Sequence, residues 1–144
     1  MAHQRHFTAS DGLIIGDDIQ LSFEVFDDDL VVDDDGAYVS GTPVDVAAWT
    51  FAFNVRTTET TLTTPVLSKD TSSGITITGT FSATPASNTQ RVLVAIADTD
   101  TYSDVGVVLV QPKTYYYSLK RTNAGSEKTV AFGKFVLLLK PVRA

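Results

Sequence analysis

The sequence predicts an all-β protein, an antiparallel β-sandwich of seven to nine strands in one domain. In several short segments apolar residues alternate with polar ones, which is the period of a strand whose two faces meet different surroundings. Turn-forming residues separate these segments at intervals of about 8–12 residues, as they do in sandwiches and barrels. No stretch keeps an apolar period of about 3.6 residues over the length that a helix needs. A chain of 144 residues can bury a core of its own.

The clearest strand covers residues 49–56. Trp49, Phe51, Phe53 and Val55 share one parity, and the residues between them are small or polar. The side chains of this parity are therefore predicted to lie in the core. Aromatic rings on one face of a strand need a second layer of structure to cover them. This segment thus predicts two packed sheets rather than one.

The other elements follow in chain order. Residues 1–12 are polar and are predicted to form an N-terminal arm, and residues 13–144 form the sandwich domain. A first strand is expected where apolar residues alternate between positions 19 and 25, and an acidic exposed loop follows it. Residues 57–65 are rich in threonine and predict a hairpin connection or an exposed edge. Further strands are predicted for residues 66–68, 75–78, 92–96, 107–110, 114–122 and 130–139.

Charge and composition exclude several classes of function. The net charge is -6 and the pI is near 4.6. An acidic surface repels phosphate backbones, so nucleic acid is not expected as a partner. The longest apolar run, residues 135–139, is too short to cross a bilayer, and the polar N-terminus does not resemble an export signal. Without cysteine there is no disulfide, thiolate nucleophile or cysteine-bound zinc.

The acidic loop after the first strand offers a weak candidate for a calcium site. Asp33 and Asp35 match two ligand positions of a helix-loop-helix calcium loop that turns at Gly36. Val31 occupies the first ligand position, however, and Thr42 stands where a bidentate glutamate is needed. We therefore expect a solvated loop of like charges and no bound metal.

Two other groups of polar residues have simple interpretations. Asp98, Asp100 and Asp104 are expected to cap a turn by accepting hydrogen bonds from nearby backbone amides. His3 and His6 lie in the predicted arm, where two imidazoles fall short of the roughly four ligands of a structural metal site. No cofactor is predicted.

Catalysis is not predicted either. Histidines in a loose arm do not have the fixed geometry that a general base needs. A serine hydrolase would need a positioned histidine or a Gly-x-Ser-x-Gly elbow, and the sequence offers neither. The aspartates cluster in loops instead of flanking an aromatic cleft, which disfavours a glycosidase. We expect a non-enzymatic protein with no catalytic residues.

Three strands carry large apolar side chains on both faces, although a sandwich strand normally has one polar face. They are residues 107–110, 115–117 and 135–139. A loop or arm of the same chain, or a neighbouring subunit, must cover the outer faces, and we favour a subunit contact. An N-terminal arm that becomes ordered on a neighbouring subunit would add to this contact. The predicted interface residues are Arg5, His6, Phe7, Val107, Val108, Leu109, Val110, Tyr116, Val136 and Leu138.

Several patches of sequence follow the alternating first strand and its acidic turn in a recognisable order. They are Pro-Val-Asp-Val-Ala-Ala-Trp-Thr-Phe at 43–51, Gly-Ile-Thr-Ile-Thr at 74–78, the strand at 92–97 with its Thr/Asp turn, Tyr-Tyr-Tyr-Ser-Leu at 115–119 and Gly-Lys-Phe-Val at 133–136. In this order they resemble the immunoglobulin-like module found at the N-terminus of tailed-phage baseplate upper proteins and in other phage virion proteins. The resemblance spans most of residues 13–142 as loosely spaced patches.

The resemblance implies an immunoglobulin-like β-sandwich that serves as a structural protein of a virion and is made in the host cytoplasm. Its partners would be capsid or tail proteins and further copies of the same chain. Because no stalk follows the last strand, a decoration or cement protein on the capsid fits as well as a baseplate or tail adaptor. Two other functions stay open. They are a carbohydrate-binding module in which tyrosine and tryptophan stack on sugars, and a cellular adhesin domain.

Overall fold

The computed structural model describes residues 3–4, 7, 13, 18–26, 31–33, 42–59, 64–97, 100, 102–103, 106–107 and 113–137. The strands, in chain order, are β1 (His3–Gln4), β2 (Ile19–Val25), β3 (Val31–Asp33), β4 (Thr50–Arg56), β5 (Leu67–Asp70), β6 (Ile75–Thr78), β7 (Arg91–Ile96), β8 (Tyr102–Ser103), β9 (Gly106–Val107), β10 (Lys113–Asn123) and β11 (Ser126–Leu137). They form a five-stranded sheet of order β1-β11-β10-β4-β5, a four-stranded sheet of order β3-β2-β7-β6 and a ribbon of β8 and β9.

The two main sheets pack face to face over one core, so the protein is an all-β sandwich, as the sequence predicts. Among the described residues the strands pair antiparallel, except that β1 runs parallel to β11. The same residues contain eleven strands, against the seven to nine predicted. Two-residue strands such as β1, β8 and β9 account for the difference, because they are too short to show an alternating pattern.

Strict alternation builds the centre of the four-stranded sheet. The strands predicted around residues 19–25 and 92–96 are confirmed as β2 and β7, which lie side by side. Their apolar parity points toward the five-stranded sheet and their other parity points away. The buried residues are Ile19, Leu21, Phe23, Val25, Val92, Val94 and Ile96.

The strand β4 supplies the aromatic stripe that the sequence predicts to be in the core. Phe51, Phe53 and Val55 are 2%, 0% and 0% exposed. The strand begins at Thr50, one residue later than expected. Trp49 therefore lies just outside it, half-buried and packed against the edge of the core.

A β-bulge shapes the long hairpin of β10 and β11. Leu119 pairs with Ala131 and Lys120 pairs with Thr129, so Val130 is the additional residue on β11. Val130 and Ala131 are consecutive, yet both are fully buried. The bulge thus sets which side chains of the rest of β11 face outward, and no local alternation in the sequence reveals it.

The described residues of the predicted arm, 3, 4 and 7, lie against β11. Beyond β1, the Phe7 N–H donates to the carbonyl of Lys134 at 2.8 Å, and the Val136 N–H donates to the carbonyl of Phe7 at 2.9 Å. The Phe7 side chain is 4% exposed. Its ring centroid lies 5.2 Å from that of Tyr117 and 6.4 Å from that of Phe23 in the opposite sheet. The assignment of Phe7 to a subunit interface is wrong, because its ring fills space between the two sheets.

A buried polar clamp fixes the loop that enters β4. The side chain of Gln90 is 7% exposed; it accepts from the Val46 N–H at 3.0 Å and donates to Asp45 Oδ1 at 2.9 Å. The Ala47 N–H donates to the same carboxylate oxygen at 3.1 Å. The hydrogen bond from Gln90 and then that from Ala47 lower the pKa of Asp45. The Pro-Val-Asp-Val patch is therefore an anchoring element of the fold.

The connection between β6 and β7 is compact. Gly79 ends β6 with φ +79°, and a Cβ atom there would lie 2.0 Å from the carbonyl oxygen of Thr89, so only glycine fits. A 3-10 turn follows at Pro85–Ser87. Within the described residues no helix is long and apolar enough to cross a membrane.

Candidate interaction surface

The outward side of the five-stranded sheet carries the features that suggest binding. We call this surface the broad face; it comprises Thr50, Ala52, Asn54, Arg56, Val66, Ser68, Asp70, Thr114, Tyr116, Ser118, Lys120, Thr122, Glu127, Thr129, Phe132, Lys134 and Val136. Cross-strand pairing arranges them in rows. From β4 through β10 to β11, three of the rows are Arg56–Tyr116–Lys134, Asn54–Ser118–Phe132 and Thr50–Thr122–Glu127.

Apolar side chains lie open on the broad face. Among the described residues the two exposed large hydrophobic side chains are Val66, 40% exposed, and Phe132, 39% exposed. Both belong to this face, since Leu67 beside Val66 and Ala131 beside Phe132 point inward. A ring exposed to this extent adds little to the packing of the core, and aromatic side chains are enriched in subunit contacts, so Phe132 is a candidate contact residue.

A hydroxyl group near Phe132 is left unsatisfied. Ser118 pairs with Phe132 across the strands, and its Oγ atom is buried with no hydrogen-bond partner among the described residues. On the other side of Ser118 the amide oxygen of Asn54 accepts a hydrogen bond from the Ser68 hydroxyl at 2.7 Å. The middle of the broad face thus combines an exposed ring with a buried hydroxyl group that the described residues leave without a partner.

An open depression of about 470 Å³ lies at one end of the broad face. Its walls hold a surface ion pair, in which Lys120 Nζ lies 3.0 Å from Glu127 Oε1, and the carboxylate of Asp70. The hydroxyl of Ser72 donates to Asp70 Oδ1 at 2.6 Å and its N–H donates at 2.9 Å. These bonds, the hydroxyl first, lower the pKa of Asp70, so this carboxyl group is ionised at neutral pH.

The charged residues of the broad face lie at different positions along the strands. Arg56 and Lys134 lie in the row of Tyr116, whereas Glu127 lies in the row of Thr122, six residues further along β10. The end near Glu127 also holds Asp70 and Lys120, which lies 3.0 Å from Glu127. The exposed ring of Phe132 lies between these two rows, beside Ser118.

Some predicted interface residues belong to this face. Tyr116 and Val136 point outward and are half-buried, while Tyr115 and Tyr117 are in the core. Burial raises the pKa of the Tyr115 hydroxyl. Val107 lies in β9, paired with Tyr102. The remaining predicted interface residues lie outside the described part of the chain: Arg5, His6, Val108, Leu109, Val110 and Leu138.

Four residues of the broad face are not among the interface residues predicted from the sequence: Phe132, Val66, Lys134 and Glu127. The sequence does contain a sign that Phe132 faces outward. Phe132, Lys134 and Val136 share one parity, and the residues between them are the small Gly133 and the buried Phe135. The apolar run that begins at Phe135 drew the prediction toward the end of the strand instead. Val66 and Glu127 gave no such signal, since single residues beside a turn show no period.

The structure also bears on sugar stacking by Trp49. Its ring is half-buried, lies 6.2 Å from the ring of Phe51 and is covered by the guanidinium of Arg121, 5.2 Å from the ring centroid. The guanidinium group thus lies over the ring, where a sugar would stack. Trp49 therefore acts as packing at the end of the sandwich.

The acidic clusters are mostly explained by turns or lie outside the described residues. Asp100 Oδ2 accepts from the Ala97 N–H at 2.7 Å, which confirms the predicted capping role of this residue, and also lies 2.7 Å from Lys69 Nζ. Asp33 ends β3, and Asp35 lies outside the described residues. In the part of the chain that the structure describes, no three histidine, cysteine or acidic residues are grouped to hold a metal ion.

Comparison with known proteins adds no family. No protein-family model, curated protein or solved structure matches the chain. Any functional conclusion therefore rests on the residues and geometry described above.

Proposed function

We propose that this chain is a non-enzymatic structural protein of a bacteriophage virion, a small β-sandwich that docks on the capsid or tail through subunit contacts. The observation that carries the proposal is the broad face, where an exposed Phe132 lies between the row of Arg56 and Lys134 and the row of Glu127. Subunit contacts characteristically combine an apolar centre with a polar rim. A rigid sandwich is suited to present such a face, because both its sheets are fixed by the core.

We further propose that the sandwich is immunoglobulin-like, as the resemblance to phage virion modules implies. In such a sandwich strands B, E and D adjoin in one sheet and strands G, F and C in the other. The orders β2-β7-β6 and β11-β10-β4 correspond to these, and β5 lies beside β4 as strand C′ lies beside C. The strand order supports the fold assignment, and the virion setting comes from the resemblance alone.

The alternative, a carbohydrate-binding module, has less support. The prominent aromatic residue Trp49 is packed under Arg121, and the tyrosines at 115 and 117 are buried. Only Tyr116 of the tyrosine run is directed outward. A positive signal for the wild-type protein on a glycan array would favour this alternative over assembly.

The experiment is co-sedimentation with virus particles. The tagged chain is produced together with the structural genes that neighbour it in its genome, and assembled particles are banded on a density gradient. We expect the wild-type chain in the particle band and a large loss of it for Phe132→Ser, because the substitution removes the apolar centre of the contact.

The matched control is Leu93→Ser, which places the same polar residue on the outward side of the four-stranded sheet, where Leu93 is half-buried. This variant should keep its place in the particle band. A wild-type chain that never bands with particles would sink the virion proposal.

A further inference from the structure

We propose that the edge of β11 is an acceptor site for an extended peptide strand that carries a phenylalanine. The ligand is a segment of another polypeptide that runs parallel to β11. In the structure the site is filled by N-terminal residues of the chain itself, of which His3, Gln4 and Phe7 are described; we call these three residues the strap. The site is distinct from the broad face, so it goes beyond the proposed function and does not depend on the virion setting.

The backbone of β11 provides the first part of the site. The two-residue strand β1 is the last strand of the five-stranded sheet, and it pairs with β11 only at Ala131 and Phe132. Further along, the carbonyl of Lys134 accepts from the Phe7 N–H at 2.8 Å, and the Val136 N–H donates to the carbonyl of Phe7 at 2.9 Å. These bonds involve backbone atoms alone, so any extended strand in the same register can make them.

An aromatic pocket provides the second part. The Phe7 ring is 4% exposed, and its centroid lies 5.2 Å from that of Tyr117, 6.1 Å from that of Phe135 and 6.4 Å from that of Phe23. Two of these walls also contact Phe53, whose centroid lies 5.5 Å from that of Tyr117 and 6.1 Å from that of Phe135. The walls thus belong to the core of the two sheets, and the strap contributes only the ring that fills the pocket.

The geometry of the pocket selects an aromatic side chain. The Phe7 ring meets the rings of Phe23 and Phe135 at interplanar angles of 85° and 75°, the edge-to-face arrangement that aromatic pairs favour. An aliphatic side chain can fill part of this space but cannot make these contacts. In the strap the ring comes four residues after His3, which pairs with Ala131. A ligand therefore needs a phenylalanine at this spacing along an extended backbone.

The strap is suited to be displaced. Its described contacts are two paired residues at the edge of the sheet and one buried ring. The chain is held again at Leu13, which is packed against the core and follows Phe7 after five residues. Release of the strap therefore leaves the pairing of β2 to β11 in place. Edge segments with so few contacts open at a lower free energy than the core strands do.

The experiment is the binding of a synthetic peptide with the sequence of residues 1–8, labelled with a fluorophore, to the full chain. Fluorescence anisotropy should show that Phe7→Ala binds the peptide about 100-fold more tightly than the wild type, because the strap of the wild type competes for the site. Phe7→Leu should give an affinity between the two and serves where Phe7→Ala does not fold. The control is Val66→Ala, at the other side of the same sheet, which should bind as the wild type does.

A second peptide, with alanine in place of Phe7, tests the pocket. It should not bind the Phe7 variants, whereas the unchanged peptide should bind them and raise their melting temperature. The site is refuted if the unchanged peptide binds neither variant, or if both peptides bind equally well. N-acetylphenylalanine amide that binds as tightly as the peptide would show a pocket for small aromatic molecules and would contradict a strand acceptor.

A disulfide tests the register, since the chain has no cysteine of its own. Adjacent strands lie about 4.8 Å apart, which is within the Cα separation that a disulfide spans. A peptide with cysteine in place of Gln4 should therefore cross-link to the double variant Phe7→Ala, Phe132→Cys. It should not cross-link to Phe7→Ala, Lys128→Cys, whose cysteine is also exposed but lies four residues earlier on β11. Equal yields would contradict the parallel register.

All of these measurements use the isolated chain, so they are separate from the test of the virion role. A chain that binds the peptide but never bands with particles would retain the acceptor site and lose the virion role. A chain that bands with particles but binds no peptide would do the reverse.

Discussion

The outward sides of the two sheets differ although the same alternation builds both. The outward side of the four-stranded sheet, which we call the narrow face, consists of Gln20, Ser22, Glu24, Thr76, Thr78, Arg91, Leu93 and Ala95. None of these is an exposed large hydrophobic residue, whereas the broad face holds both Phe132 and Val66. Alternation places the residues of one parity in the core, and the residues of the other parity are free to differ between the two sheets.

Charge is also used differently on the two faces. On the narrow face Glu24 lies 3.4 Å from Arg91 and accepts a hydrogen bond from the buried Asn88 at 2.8 Å. These groups are engaged with one another and tie a connecting loop to β2. On the broad face the exposed pair of Lys120 and Glu127 joins only the neighbouring strands β10 and β11. The Glu24 group thus fixes a loop to the sandwich, whereas the Lys120 pair lies on the surface of one hairpin.

The largest loss of stability is expected for a buried phenylalanine on β11, and an exposed phenylalanine on the same strand is its comparison. Phe135→Ala removes a ring that is 0% exposed and should cost about 3–5 kcal/mol of unfolding free energy. Phe132→Ala, three residues earlier on the outward side, should cost about 1 kcal/mol or less, because the ring is 39% exposed. Urea unfolding of both variants gives the measurement. Equal losses would mean that Phe132 belongs to the packing and that the broad face is not set apart for a partner.

The contrast within β11 shows what the sequence could and could not predict. The parity of Phe51, Phe53 and Val55 was predicted correctly, because each adjacent residue confirms it. On β11 the bulge opposite Leu119 buries Val130 and Ala131 together. A bulge depends on the partner strand, so it has no signature in the sequence of β11 itself.

Long-range pairing explains why the sequence does not predict the burial of Phe7. Phe7 is the only large apolar residue of its segment after Met1, so no period marks it as a core residue. Its burial follows from parallel pairing with a strand more than a hundred residues later in the chain, at Phe135. The candidate surface was only half-predicted for the same reason. Tyr116 and Val136 lie in conspicuous apolar runs, whereas Glu127 and Lys134 acquire meaning only from cross-strand register.

Phe7→Ala tests whether the N-terminal segment belongs to the core beneath the broad face. Removal of this buried ring should lower the unfolding free energy by about 3 kcal/mol. Val66→Ala is the control on the same sheet; Val66 is 40% exposed, so the change should stay within about 0.5 kcal/mol. If urea unfolding gives the same loss of free energy for both variants, Phe7 does not contribute to the core and the segment is the arm that the sequence predicts.

A matched pair of asparagines compares the polar groups of the two faces. Asn88 is 5% exposed; it donates to Glu24 and accepts from the Ser82 N–H at 3.0 Å. Asn88→Ala leaves buried partners unsatisfied and should cost about 1–3 kcal/mol. Asn54→Ala on the broad face breaks an exposed bond to Ser68 and should cost about 0.5 kcal/mol or less. If thermal melts show a larger loss for Asn54→Ala, the polar contacts of the broad face contribute more to stability than those around Asn88.

The smallest expected effect is on the dependence of the melting temperature on pH. The pKa of Asp45 is lowered by hydrogen bonds from Gln90 and Ala47, and that of Asp70 by hydrogen bonds from Ser72. A carboxyl group with a lowered pKa in the folded state adds stability above its unfolded pKa of about 3.9, and this stability is lost as the pH falls through the folded value. Asp45→Asn and Asp70→Asn should therefore each flatten the fall of the melting temperature as the pH drops from about 4 through the folded pKa.

The two aspartates should nevertheless differ in a second measurement. Asp45 lies in the clamp before β4, whereas Asp70 lies in the depression of the broad face. At neutral pH Asp70→Asn should therefore lower the amount of chain in the particle band if the depression takes part in docking, because it removes a carboxylate from the wall of the depression. Asp45→Asn should leave that amount unchanged. Equal amounts for the two variants would mean that the depression takes no part in docking.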